Sequence, residues 1–135
     1  MGSPDTAIGA PTRDHLDWPF FDDSHRALAA EMDAFVARGG LGDIDHADVD
    51  AACRQLVAAL GTAGVLRHCV PKAFGGVSDE IDSRSLCLIR ETLAYPDGLA
   101  DFAFAMQGLG TGAISLSGSE ALKQAVLPKV ARGEW

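Results

Sequence analysis

The stretch from Leu109 to Trp135 reads LGTGAISLSGSEALKQAVLPKVARGEW, and it contains a break, a helix start, an amphipathic helix and a stop. Gly118 marks the break, and the hydroxyl of Ser119 can accept a free N–H from the first turn of the next helix. Apolar residues then recur at helical spacing, which predicts one apolar face. These residues are Leu122, Ala125, Val126, Leu127 and Val130. Gly133 is expected to end the helix, because glycine adopts a positive φ at little cost.

A proline interrupts this predicted helix. Pro128 removes one helix hydrogen bond, so we expect the helix to be kinked or divided there. The order of residues around it resembles the end of the N-terminal helical domain of the acyl-CoA dehydrogenase family. The matching residues are Gly118, Ser119, Glu120, Lys123, Leu127, Pro128, Gly133 and Glu134. Periodicity alone predicts a helix with a kink, and only the resemblance supplies the family.

Four earlier segments also show helical spacing of apolar residues. The predicted helices span residues 23–38, 47–60, 83–95 and 99–116. Gly61 is the expected cap of the second helix, and Pro96-Asp97-Gly98 predicts the turn before the fourth. The predicted fold is therefore all-α, a bundle of about five helices like the N-terminal domain of the acyl-CoA dehydrogenases.

The connection between the second and third helices is apolar but unsuited to a helix. Pro71 favours an extended conformation at Val70, and Phe74 is large enough to fill a gap in the core. A glycine-led turn, Val-Pro, an aromatic residue and Gly-Gly follow one another between Gly64 and Gly76. This order also resembles the acyl-CoA dehydrogenase family.

The N-terminus lacks helical periodicity. Residues 1–21 are predicted to form an arm before a helical domain of residues 22–135, and residues 1–17 are expected to be partly disordered. The segment Trp18-Pro19-Phe20-Phe21 carries three aromatic residues, which should not stay in water. We expect it to anchor the arm on the helices or on a partner surface.

Composition limits the function classes. The chain has 135 residues, is 47% hydrophobic and carries a net charge of −8, which indicates a globular domain and argues against nucleic acid as a partner. Three cysteines without CxxC spacing argue against zinc and disulfides and favour reduced thiols in a cytoplasmic protein. The sequence contains no run of 18 or more apolar residues, so no membrane span is predicted. The histidines lack metal-ligand spacing, and no catalytic triad pattern occurs, so no metal or catalytic residue is predicted.

One glycine pattern has two interpretations. Residues 108–113 fit the loose dinucleotide pattern GxGxxG/A, with residues 102–106 as a candidate strand. That interpretation needs a βαβ unit, and the chain before Tyr95 is predicted to be helical throughout. In the alternative interpretation, the segment is a buried helix. Its glycines lack side chains, so a neighbouring backbone or ligand can approach closely.

The fourth helix is apolar nearly all round, which is typical of a helix that is central or covers a ligand. In the acyl-CoA dehydrogenase family this helix supplies a wall of the pocket for the acyl chain. The resemblance therefore implies a substrate-binding role for Phe102, Ala105, Met106 and Leu109. The alternative is that all four belong to the ordinary core.

The resemblance also implies what the complete enzyme contains. The family adds a middle β-domain and a C-terminal helical domain, holds FAD mainly between them, and in most members takes its catalytic base from the latter. The implied activity is flavin-dependent α,β-dehydrogenation of an acyl-CoA thioester in fatty acid metabolism, by a homo-oligomer when complete. This chain alone, which stops where the family's β-domain would begin, is expected to be inactive and to bind no cofactor.

A non-enzymatic helical module that docks a partner protein is the alternative. A reading frame that continues past Trp135 into a β-rich segment would favour the dehydrogenase.

Overall fold

Five α-helices make up most of the described chain, which the computed structural model covers from residue 11 to residue 135. They are α1 (Asp23–Ala37), α2 (Val49–Thr62), α3 (Ser83–Ala94), α4 (Gly98–Ser117) and α5 (Glu120–Ala131). Three short 3-10 helices span Asp14–Asp17, Val65–Cys69 and Lys72–Phe74. The predicted all-α fold is confirmed. Within residues 11–135, no helix combines the length and the apolar character needed to cross a membrane.

Each of the five helices begins with a side-chain cap. The capping residue supplies a carboxylate or hydroxyl oxygen that accepts a backbone N–H of the first turn. The caps are Asp22, Asp48, Asp82, Asp97 and Ser119. Ser119 accepts from the N–H of Leu122 at 3.3 Å, so the predicted cap of α5 is confirmed. Local sequence chemistry therefore fixes where every helix starts.

Helix α4 lies at the centre of the bundle and packs against α2, α3, α5 and the Val65–Cys69 turn. Its buried side includes Ala100, Phe104 and Thr111, and Phe104 is only 1% exposed. The hydroxyl of Thr111 lies 2.9 Å from the carbonyl oxygen of Cys69 and can donate to it. This contact ties the helix to the connection between α2 and α3.

A buried histidine joins the starts of α1 and α3. His25 is 1% exposed, and its Nε2 lies 2.7 Å from a carboxylate oxygen of Asp82, the cap of α3. Its Nδ1 accepts the backbone N–H of Asp22, the cap of α1, at 3.1 Å. One imidazole thus completes both caps and holds the two helices in register.

The predicted end of α2 at Gly61 is wrong. The helix continues to Thr62, and the first residue after it with a positive φ is Gly64, at +78°. Gly61 instead lies against the backbone of Arg132 and Gly133 at the end of α5. Gly133 has the expected positive φ, +72°, and a Cβ there would lie 2.5 Å from the carbonyl oxygen of Val57. Both glycines permit a close approach of two backbones.

Pro128 does not divide α5, which continues to Ala131. Leu127 before the proline and Val130 after it are both buried in the core. Burial of these side chains offsets the one helix hydrogen bond that proline cannot make. Division of the helix, one of the two predicted outcomes, therefore does not occur.

The N-terminal segment is held by contacts distant in sequence. The Arg13 guanidinium lies 2.6 Å from Asp33 on α1 and 2.7 Å from Glu91 on α3. Residues 11–17 are therefore tied to the helices, whereas the part of the predicted arm in residues 1–10 lies outside the described residues. Leu16 and Phe21 pack beside Ala29 and Leu88.

The aromatic cluster anchors the segment only in part. Phe21 packs on the helices, but Trp18 is 58% and Phe20 66% exposed, against the expectation that the aromatic residues avoid water. The reason lies in the arginine contacts, which fix the backbone of the segment independently of these two rings.

Replacing Gly61 by alanine should destabilise the fold, because the new Cβ would overlap the Arg132 carbonyl group. We expect a loss of about 1–3 kcal/mol in the free energy of unfolding, measured by urea denaturation. Gly110→Ala is the matched control, since a Cβ there meets nothing within 4 Å. It should raise the free energy of unfolding by roughly 0.5–1 kcal/mol through helix propensity. Equal effects at both positions would contradict the contact between the ends of α2 and α5.

Candidate functional site

The side of α4 that faces away from the bundle is an exposed apolar surface. Phe102 is 56%, Met106 47% and Leu109 69% exposed, and Leu116, near the end of the helix, is 81% exposed. Ala105 is half-buried at the edge of this surface, and Ala113 is exposed within it. We call these six residues the apolar α4 face. It includes all four residues predicted to bind the substrate.

The spacing of residues along α4 explains this surface. Phe104 and Thr111 point into the core, and each residue advances the helix by about 100°. Met106 and Leu109 therefore project from the opposite side. The only charged residue of α4 is Asp101, which pairs with Arg90 of α3 at 2.7 Å. The rest of the helix carries no charge, and all six residues of the face are apolar.

Two residues of this face are not among the predicted substrate-binding residues. Ala113 and Leu116 extend the surface beyond Leu109, and from Phe102 to Leu116 it runs about 21 Å at the helical rise. Leu116 follows Leu109 by seven residues, a helical interval that indicates the extension from the sequence.

The dinucleotide interpretation of residues 108–113 is wrong. Those residues and the proposed strand of residues 102–106 all lie within α4. Backbone N–H groups inside a helix are bonded to carbonyl groups one turn earlier, so they cannot cradle a phosphate. A Cβ at Gly108 would make an ordinary contact with Cys69, whereas Gly110 and Gly112 face open space. The described chain therefore brings no backbone into close contact with these two glycines.

The buried titratable groups do not form a reactive site. Burial raises the pKa of the Cys69 thiol to about 12, which keeps the thiol protonated at neutral pH and unreactive as a nucleophile. Burial also lowers the pKa of His68, because it penalises the charged imidazolium. No three His, Cys, Asp or Glu side chains in residues 11–135 are grouped to hold a metal ion. The apolar α4 face is therefore the candidate functional surface.

Comparison with known proteins points to one family. The family model described as "Acyl-CoA dehydrogenase, N-terminal domain" matches residues 22–134. A protein of Mycobacterium leprae named "Probable acyl-CoA dehydrogenase fadE25" is 39% identical over 88 residues, which cover 63% of this chain and 22% of that protein. Proteins of the same name from Mycobacterium bovis and Mycobacterium tuberculosis are 35% identical over 88 residues, with the same coverage. The chain thus matches less than a quarter of the length of these relatives.

The apolar α4 face should bind a hydrophobic dye. Met106→Gln combined with Leu109→Gln should reduce the fluorescence of bound anilinonaphthalene sulfonate, because both side chains are exposed on that face. The free energy of unfolding should change by no more than about 0.5 kcal/mol, as for other surface substitutions.

Val49→Gln combined with Leu122→Gln is the matched control for the dye measurement. Both residues are exposed apolar side chains outside the face, 54% and 44% exposed. An equal loss of dye fluorescence in the two double variants would show that the face is not the principal apolar surface.

Proposed function

Because the chain belongs to the acyl-CoA dehydrogenase family, whose N-terminal domain it matches over residues 22–134, we propose a role in acyl-CoA oxidation. The chain is the helical part of a flavin-dependent enzyme that removes hydrogen across the α,β-bond of an acyl-CoA thioester. In that enzyme the apolar α4 face forms one wall of the pocket for the acyl chain. The observation that carries this proposal is a 20-residue helix, α4, with one face fully apolar and uncovered.

The chemistry of the face suits an aliphatic chain. A fatty acyl tail has no hydrogen-bonding groups, so it is bound by removing apolar surface from water, worth about 0.8 kcal/mol for each buried CH₂ group. Phe102 and Leu109 supply large apolar surfaces, and Met106 supplies a flexible thioether that adapts to different shapes. Ala105 is small and half-buried, so it leaves room for the chain beside the helix.

The proposal assigns flavin binding and proton abstraction to other parts of the enzyme. FAD would accept the hydride from the acyl chain, but the described residues offer no phosphate-binding turn for it. The glycine-rich residues 108–113 have their N–H groups inside α4. Neither Cys69 nor His68 is poised to remove a proton from a substrate bound against α4. Cys69 is buried in the core, and His68 lines a cavity with Ser24 of α1 and Ser85 of α3.

A non-enzymatic docking module is the second candidate. The apolar α4 face supports this candidate too. Leu116 on that face is 81% exposed, and an exposed apolar helix face is suited to a partner helix. The two candidates differ in one measurable property. A pocket wall responds to the length of an acyl chain, whereas a docking face does not.

In the complete protein, which we propose is a homo-oligomer, Ala105→Phe should shorten the preferred acyl chain. The added ring would occupy space open to the distal end of the chain, and one methylene in an apolar pocket is worth roughly 1–3 kcal/mol. The measurement is kcat/KM over a series of acyl-CoA lengths, with flavin content determined for each preparation. We expect kcat/KM to fall most for the longest substrates, while the flavin content stays near that of the unmodified protein.

Ala121→Phe serves as the control for Ala105→Phe, because it adds the same bulk to an exposed position of α5. It should leave the length profile unchanged. An unchanged profile in Ala105→Phe would remove Ala105 from the pocket. An equal loss of kcat/KM at all chain lengths, together with loss of flavin, would mean that Ala105 belongs to the core and that phenylalanine overpacks it.

The isolated 135-residue chain should not bind FAD. The expected result of a titration followed by flavin fluorescence is a linear signal without saturation, because the described residues lack a phosphate-binding turn. Circular dichroism at the same protein concentration checks that the chain is helical. Saturable quenching at micromolar FAD from a helical sample would overturn the assignment of flavin binding to other domains.

A further inference from the structure

A partly polar cavity of about 270 Å³ lies beside the starts of α1 and α3. Residues of both helices, of the segment 68–71 and of the connection 77–82 line it. Its polar lining residues are Ser24, His68, Ser78, Glu80, Asp82 and Ser85. No lining residue belongs to the apolar α4 face, so the role of this cavity is independent of the function proposed for that face.

Two serine hydroxyl groups of the cavity have already given their protons to carboxylates. Ser24 Oγ donates to a carboxylate oxygen of Asp22, and Ser85 Oγ donates to one of Asp82 at 2.8 Å. An ionised carboxylate only accepts hydrogen bonds, so the proton of each pair comes from the serine. Each serine oxygen therefore has only lone pairs left for a ligand.

His68 adds an imidazole that has no protein partner. The side chain is half-buried in the lining and forms no hydrogen bond within residues 11–135. Burial lowers its pKa, so at neutral pH the ring is uncharged and one of its nitrogens only accepts. Glu80 adds a carboxylate that joins no ion pair in the same part of the chain. Hydrogen-bond acceptors therefore outnumber donors in the cavity.

The nearby helix ends do not make this cavity an anion site. Asp22 and Asp82 cap α1 and α3 and already accept N–H groups of both first turns. Their carboxylates lie where an anion would otherwise bind to the helix ends. Together with Glu80 and the net charge of −8, they make a cation the favoured occupant.

We propose that this cavity binds a small primary amine in its ammonium form. The ammonium head has three N–H donors and no acceptor, which matches the oxygens of Ser24 and Ser85 and the free nitrogen of His68. The carboxylate of Glu80 supplies the opposite charge, and a short alkyl stem packs against the apolar part of the lining. A free amine and a lysine side chain share this head and stem, and experiment separates these two sources.

The probe is n-butylamine, which is an ammonium ion at neutral pH, like a lysine side chain. It is titrated into the full chain of 135 residues while NMR spectroscopy follows the imidazole signals. We expect a saturable shift of the His68 signals. His46 is exposed outside the cavity, so its signals should stay constant and report any drift in pH.

Other small molecules test which property of the probe is recognised. Tetramethylammonium has the charge but no N–H donor, so it should bind at least about tenfold more weakly than n-butylamine. The neutral n-butanol and the anion butyrate should give no saturable shift. Nα-acetyl-lysine methylamide carries the ammonium head on a peptide backbone. Weaker binding of this compound than of n-butylamine assigns the cavity to a free amine, and tighter binding assigns it to a lysine side chain.

Variants test the assigned residues. Glu80→Gln should raise the dissociation constant of n-butylamine about threefold, the effect of a partly exposed ion pair. Asp50→Asn removes the same charge from an exposed position of α2 and should leave the constant unchanged. Ser85→Ala should raise the constant about tenfold through loss of an acceptor for a charged donor. Its matched control is Ser83→Ala, at an exposed position outside the cavity.

The proposal is overturned if n-butylamine gives no saturable shift at His68. Equal binding of tetramethylammonium or n-butanol would also overturn it, since the N–H donors or the charge would then play no part. A dissociation constant that is unchanged in both Glu80→Gln and Ser85→Ala would contradict the assigned residues. Circular dichroism verifies the fold of each variant. Glu80 is exposed, so Glu80→Gln keeps the test valid even if Ser85→Ala fails to fold.

Discussion

Burial of one side of α4 is the constraint on which the rest of the structure depends. This helix is 20 residues long and has a single charge, so it cannot be stable with all its surface in water. Helices α2, α3 and α5 and the Val65–Cys69 turn cover the side that carries Phe104. The hydrogen bond from Thr111 to Cys69 fixes the connection that lets α2 and α3 reach that side. The remaining side is left open because no other described element reaches it.

Contacts at the ends of the other helices hold these helices in position around α4. His25 completes the caps of α1 and α3 together, which places these two helices side by side. At the other end of the bundle, Gly61 and Gly133 let the backbones of α2 and α5 approach more closely than any side chain would allow. Small and polar residues at helix ends therefore set the geometry, and large apolar residues fill the space that results.

The open surface of α4 indicates the chemistry of what covers it. The apolar α4 face is uncharged over about 21 Å of helix, which suits an aliphatic chain or another apolar surface. The opposite side of α4, with Ala100, Phe104 and Thr111, is buried in the core and holds the exposed face in place. A rigid support of this kind lowers the entropy lost on binding.

Local sequence determined the helices and their beginnings. α1 and α3 start at the predicted residues because an acidic cap directly precedes an apolar repeat, and the apolar character of α4 is evident from its residues alone. Only the tertiary structure decided that Gly61 lies inside α2, that α5 continues past Pro128, and that Phe102, Met106 and Leu109 face outward. It also decided that Arg13 meets Glu91, 78 residues away, which holds the segment before α1 against the helices. Periodicity describes neighbours along one helix, whereas these features depend on which distant backbone or side chain fills the opposite side of a contact.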